Sequence, residues 1–117
     1  MIVEGSITIE NTLDVQAMAN VCVVTGTVTV SADGITSISL PLLESVGGAV
    51  VIESNDALTS FALPVLASAG SVVIQSNATL TSLSFPVLAS VGGDVVIQRN
   101  ATLTTCTGAL IVNVGDC

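Results

Sequence analysis

The 117-residue chain has no His, Lys, Trp or Tyr, and Arg99 is its only basic side chain. Each absence excludes something. Without His, Lys or Tyr, the usual general bases, Schiff-base amines and nucleophile–base pairs are missing. One cation cannot displace the counterions of a phosphate backbone, so nucleic acid is not an expected partner. An anionic membrane surface is disfavoured for the same reason. No run of 18 residues escapes polar interruption, so no membrane span is expected. The opening Met1-Ile2-Val3-Glu4 lacks the basic end and apolar stretch of a signal peptide, and a secreted form would carry its leader outside this sequence. Aromatic residues are limited to Phe61 and Phe85.

Acidic residues are present but scattered: Glu4, Glu10, Asp14, Asp33, Glu44, Glu53, Asp56, Asp94 and Asp116, for a formal charge of −8. That charge keeps a very apolar chain in solution. Two carboxylates suffice for glycoside hydrolysis, yet here no paired spacing occurs. Asp33, Asp56 and Asp94 share no repeat position, which argues against a calcium cluster. Gly47-Gly48 and Gly92-Gly93 read as turns at repeat boundaries and not as a phosphate loop. No cofactor, metal or catalytic residue is expected.

Half of the chain is apolar, and small and β-branched residues dominate, which suits strands joined by tight turns. Laid against itself, Val50-Val-Ile-Glu-Ser-Asn55 returns as Val72-Val-Ile-Gln-Ser-Asn77 after 22 residues and as Val95-Val-Ile-Gln-Arg-Asn100 after 23 more. Leu58-Thr-Ser-Phe61-Ala-Leu63-Pro64 returns as Leu80-Thr-Ser-Leu83-Ser-Phe85-Pro86, and Ile35 to Pro41 precedes it in the same frame. Gly5-Ser-Ile7-Thr-Ile9 and Gly26-Thr-Val28-Thr-Val30 open two earlier copies. The unit V-x-I-x-x-N-x-x-L-x-x-L-x-F-P-x-L-x-x-V-G alternates at V-x-I and L-x-F, the mark of short strands with one face inward. Leu66 to Ala69 and Leu88 to Val91 suggest a third inward side. No single rung buries its apolar face, but stacked rungs make a continuous column. An all-β solenoid of about five rungs, each of 22 to 23 residues, is expected. Residues 12 to 22 break the pattern. There Leu13, Ala17, Met18 and Val21, with Asn11 or Thr12 as N-cap, predict a short helix capping the N-terminal end. The expected domain plan is one solenoid: strand and capping helix over 1–25, repeats over 26–105 and a C-terminal cap over 106–117.

The run L-x-x-L-x-F-P-x-L-x-x-V-G-G-D-V-x-I-x-x-N resembles the receptor L-domain group of leucine-rich-repeat-like solenoids. That group includes the ligand-binding L domains of insulin and epidermal growth factor receptors, with related repeats in GPI-anchored fungal wall proteins and microbial surface proteins. The likeness covers nearly the whole chain, including strand Ile7 to Ile9, the helix, Cys22 and Gly26 to Val30. It implies a right-handed parallel β-helix and an extracellular or cell-surface setting. It implies no particular ligand. Two departures are evident: the array is short, and the cysteine that would partner Cys22 from upstream is absent.

Several columns are candidate sites. Asn55, Asn77 and Asn100 form either an interior ladder satisfying turn backbone or, at Asn77-Ala-Thr79 and Asn100-Ala-Thr102, glycosylation sequons. An inward asparagine cannot be glycosylated, and the ladder is favoured. Thr36, Thr59, Thr81 and Thr104, followed by Ser37, Ser60, Ser82 and Thr105, offer hydroxyls at a rung spacing of about 4.8 Å. They are corner residues or an ice-matching array, one threonine per corner. Val51, Val73 and Val96, beside Arg99, form a stripe expected to be exposed, either a partner or dimer face or the ordinary preference of strands for valine. By rung distance Cys22 cannot reach Cys106 or Cys117, because a disulfide needs Cα atoms within about 7 Å. Cys106–Cys117 is therefore the expected bridge, pinning a strand over Leu110 to Val114, and the alternative is two buried reduced thiols. The residues lead to a non-catalytic solenoid, and the resemblance implies a surface or secreted module for adhesion, ligand recognition or wall architecture, with a protein or polysaccharide partner. The rivals are an ice-binding protein and a carbohydrate-active β-helix enzyme.

Overall fold

Alternation explains the strands. In Val50-Val51-Ile52 and Val72-Val73-Ile74 the outer two side chains are buried and the middle one half-buried, as on a strand with one face on a core. The computed structural model describes residues 1–32, 34–108, 111 and 115. Its elements are β1 (Ile2–Val3), β2 (Ile7–Ile9), α1 (Thr12–Ala17), β3 (Val23–Val24), β4 (Val28–Val30), β5 (Ser37–Ser39), β6 (Ser45–Glu53), β7 (Ser60–Ala62), β8 (Ser68–Gln75), β9 (Ser82–Ser84), β10 (Ser90–Val91), β11 (Val95–Gln98) and β12 (Thr105–Thr107). The ladders among them are all parallel. The chain is a parallel β-solenoid of about five turns.

One sheet runs β1-β3-β6-β4-β2, with β8 on β6 and both β10 and β11 on β8; the other runs β12-β9-β7-β5. Ile9, Val30, Ile52, Ile74 and Ile97 stack in register on the first and are all buried. Ile38, Phe61, Leu83 and Cys106 stack in register on the second; the first three are buried and Cys106 is half-buried at the end of the column.

The expected third side is not a separate wall. In β6 and β8 it continues into the first sheet, with a register shift between Val46 and Ala49. Gly47-Gly48, expected as a turn, thus lies inside a strand. The reason is close approach of neighbouring rungs. A Cβ on Gly70 would sit 2.6 Å from the Gly48 carbonyl oxygen and 2.8 Å from that of Gly47. Glycine alone lets the backbone bend there without a turn. Around Gly92-Gly93 the strand is interrupted, and β10 and β11 are distinct.

The core is filled by complementary sizes. One rung places Phe61 beside Leu63 and the next Leu83 beside Phe85, so each large ring meets a smaller side chain above or below. All four are buried. The two rings pack edge to face, with centroids 6.0 Å apart and planes at 82°, a geometry worth about 0.5–1.5 kcal/mol beyond area burial. The chain then turns at Leu63-Pro64-Val65-Leu66 and Phe85-Pro86-Val87-Leu88, closed by Leu66 N–H to Leu63 O at 3.4 Å and Leu88 N–H to Phe85 O at 3.3 Å. Proline presets the backbone angle that the second residue of such a turn needs.

The N-terminal helix is shorter than the sequence pattern predicts, ending at Ala17. Asn11 is its N-cap: Oδ1 accepts from Asp14 N–H at 3.0 Å, while Asp14 Oδ2 accepts from Glu10 N–H at 2.9 Å. Met18 and Val21 are buried, but Leu13 is 73% exposed and Ala17 faces solvent. The helix therefore caps the core through half-buried Val15 and through Met18 just past its C-terminal end. A single turn and a half has no stability of its own and is held by Met18 and Val21. The expected C-terminal strand over Leu110 to Val114 lies outside the described residues.

Candidate functional site

Strict alternation along β6 would send Ser54 inward. Instead Ser54, Ser76 and Arg99 adopt φ of 58°, 58° and 59°. A left-handed residue costs a non-glycine about 1–2 kcal/mol, but it turns the corner and delivers the next residue, an asparagine, to the interior. Asn55, Asn77 and Asn100 are 0%, 0% and 2% exposed. Asn77 Oδ1 accepts from Asn55 N–H at 3.2 Å and from Asn55 Nδ2 at 2.9 Å. Asn100 Oδ1 accepts from Asn77 N–H at 3.1 Å and Nδ2 at 3.0 Å. Each Nδ2 also reaches back to the preceding rung, to Val30 O at 3.2 Å, Ile52 O at 3.1 Å and Ile74 O at 3.0 Å. The ladder ends where Ala32 N–H donates to Asn55 Oδ1 at 2.7 Å. Among the described residues no buried side-chain polar atom lacks a partner. Both sequons lie on this buried column, and their threonines are also engaged. Thr79 Oγ1 donates to Asp56 O and Leu58 O at 2.8 and 3.0 Å, and Thr102 Oγ1 to Ala78 O and Leu80 O, both at 3.0 Å.

Three outer faces remain for a ligand. On the first sheet Thr29, Val51, Val73 and Val96 stack in register. The valines are half-buried and not fully exposed, because neighbouring rungs cover their flanks. Beside them runs a side-chain ladder, Gln75 Nε2 to Glu53 Oε2 at 2.9 Å and Gln98 Nε2 to Gln75 Oε1 at 3.0 Å. Arg99 is exposed at the left-handed corner.

The second face is more open, and sequence reasoning missed it. Leu42, Val65 and Val87 are 47%, 39% and 51% exposed. Each follows a repeat proline, Pro41, Pro64 or Pro86, so the three form an aliphatic ridge on the Pro turns. The signal was the x of F-P-x-L, apolar in every copy although the turn points it outward.

The third face is the outside of β5, β7, β9 and β12. It carries Thr36, Ser37 and Ser39; Thr59, Ser60 and Ala62; Thr81, Ser82 and Ser84; and Thr104, Thr105 and Thr107, in register. That array is wider than one threonine per corner and free of charge. Its corner hydroxyls are partly consumed: Thr59 Oγ1 donates to Thr36 O at 2.8 Å, Thr81 Oγ1 to Thr59 O at 3.0 Å and Thr104 Oγ1 to Thr81 O at 3.3 Å.

Cys106 is disulfide-bonded and Cys22 is a free thiol; the expected partner of Cys106, Cys117, lies outside the described residues. Among the described residues no group of three or more acidic or cysteine side chains is placed to hold a metal ion, and no helix is long and apolar enough to cross a membrane. No family model, curated protein or solved structure matches the chain.

Asn77→Ala strands Asn55 N–H and Ile52 O in the interior. The variant is expected to lose roughly 3 kcal/mol in chemical denaturation, at about 1–3 kcal/mol for each orphaned group. A neutral effect would show that water replaces the amide.

Proposed function

We propose that the chain is a non-catalytic recognition or wall-architecture module of a secreted or cell-surface protein, similar in design to receptor L domains. The observation that carries this reading is the aliphatic ridge of Leu42, Val65 and Val87 on a rigid, laddered scaffold. Side chains held in register by stacked rungs lose little entropy on binding, so even a small apolar strip contributes affinity. The half-buried Val51, Val73 and Val96, with Arg99, form a second strip of the same kind. The Cys106 disulfide supports an oxidising compartment.

Two measurements test the two halves of this reading. Sedimentation with insoluble glucan and chitin should retain the chain, and Val65→Asp with Val87→Asp should lower retention about tenfold. Undiminished retention would move the surface to another face, and no retention on either polymer would replace a wall polysaccharide with a protein partner. For the compartment, alkylation under denaturing conditions of material never exposed to reductant should label one thiol, and three after reduction. Three labels without reduction would overturn the extracellular assignment.

Ice binding is the second reading, favoured by the uncharged face of Ser and Thr hydroxyls, interrupted at Ala62 alone among the four rungs. It requires thermal hysteresis that Thr59→Tyr with Thr81→Tyr abolishes. Freezing-point behaviour no different from a non-binding protein at equal concentration would eliminate it.

A further inference from the structure

The N-terminal end of the solenoid carries a second opening, independent of the ridge. Strand β2 pairs with β4 alone among the described residues. Ile7 N–H donates to Thr27 O at 2.9 Å, and Ile9 O accepts from Ser31 N–H at 3.0 Å. Residues 7 and 9 therefore spend their backbone groups on β4. In a parallel ladder the intervening residue faces the other way, so Thr8 presents its N–H and C=O to the open side. An unpaired strand edge of this kind is a template for another strand.

The space above that edge is shaped. A cavity of about 270 Å³ is lined by Ile7, Thr8, Ile9, Asp14, Ala17 and Met18. It lies between β2 and the short helix, whose own residues are none of them fully buried. Ile7 is half-buried and would be covered by one more strand in register. The same end holds three large exposed apolar side chains, Met1, Ile2 and Leu13, at 69%, 65% and 73%.

Charge selects the occupant. Glu4 and Glu10 precede and follow β2 in the chain and are exposed, and Asp14 lines the cavity itself. The one Arg, Arg99, lies rungs away, and the Met1 ammonium is engaged with Asn20 O at 3.0 Å. A second copy docking edge to edge would bring two sets of these carboxylates together. A cationic strand would meet them favourably.

We propose that the open edge of β2 binds an extended segment of a partner protein by strand addition. Small aliphatic side chains of the segment alternate with Lys or Arg. The aliphatic ones enter the cavity over Ile7, Ile9 and Met18, the cationic ones face Glu4 and Glu10, and the segment's backbone pairs with Thr8. Main-chain bonds supply affinity in this mode and alternate side chains supply selectivity.

The test is fluorescence anisotropy with a labelled peptide of alternating Lys and Val, seven residues long, against the full 117-residue chain. Saturable binding that weakens as salt rises is expected, because the carboxylates are exposed and screened. Thr8→Pro removes the outward N–H at a position where an edge strand tolerates proline. It should weaken binding roughly tenfold or more, the scale of one lost backbone pair. Ala17→Phe fills the cavity from the helix side, leaves the β2 backbone untouched and should do the same. Unchanged affinity in both variants, or equal affinity for a peptide of alternating Glu and Val, would overturn the proposal. So would sedimentation showing a dimer of the free chain that Thr8→Pro dissolves, since the edge would then belong to a second copy.

Discussion

Everything in this fold depends on satisfying backbone groups at a buried corner. A solenoid turns its chain several times per rung, and at each turn strand pairing stops while peptide groups remain inside. Left unpaired, each such group costs about 1–3 kcal/mol. The asparagine column removes that cost, because one amide accepts from the neighbouring rung's asparagine and donates to a carbonyl deeper in the stack. The left-handed residues at 54, 76 and 99 exist to put it there. Local strain and interior hydrogen bonding are two halves of one device, repeated until the ladder ends at Ala32.

Much of this was legible in the residues. The 22-to-23-residue offset, the V-x-I and L-x-F alternation and the recurrent Asn and Pro were enough for stacked parallel rungs with a short N-terminal helix. What was not legible has physical causes. Ser54, Ser76 and Arg99 carry no glycine signature, because the corner is enforced by the asparagine that follows and not by local preference. Gly47-Gly48 looked like a turn because glycine pairs usually are one. Here they serve the closeness of the next rung's backbone, a tertiary fact without a local signal. Leu13 fitted helical spacing, yet the helix stops before a second apolar turn can form, which leaves it in solvent.

The candidate surfaces were harder to read for a related reason. Alternation says which side chains point out, but not how much of each its neighbours cover. Val51 and Val73 sit in mid-strand between two paired strands and Val96 beside one, whereas Leu42, Val65 and Val87 project from turns. Internal hydrogen bonding also depletes the surface of free polar chemistry. The corner threonines cap carbonyls of the previous rung, and the Glu53–Gln75–Gln98 ladder ties amides to one another. What remains outside is shape, aliphatic contact, the hydroxyl face of the second sheet, Arg99 and scattered negative charge.

The two ends of the stack are not equivalent, and the difference follows from how each is closed. At the C-terminal side a Cβ on Gly115 would collide with the Ile97 carbonyl, so the chain itself lies against β11. At the N-terminal side a six-residue helix, held at its far end by Met18, leaves β2 with backbone groups facing outward. A stacked β-fold grows by adding strands to its edge, so an edge that the chain does not cover is where the geometry of its interior is offered to a partner. The recognition chemistry available there is that of one more rung, main-chain pairing outside and small aliphatic side chains within. The acidic rim restricts which chains can supply it.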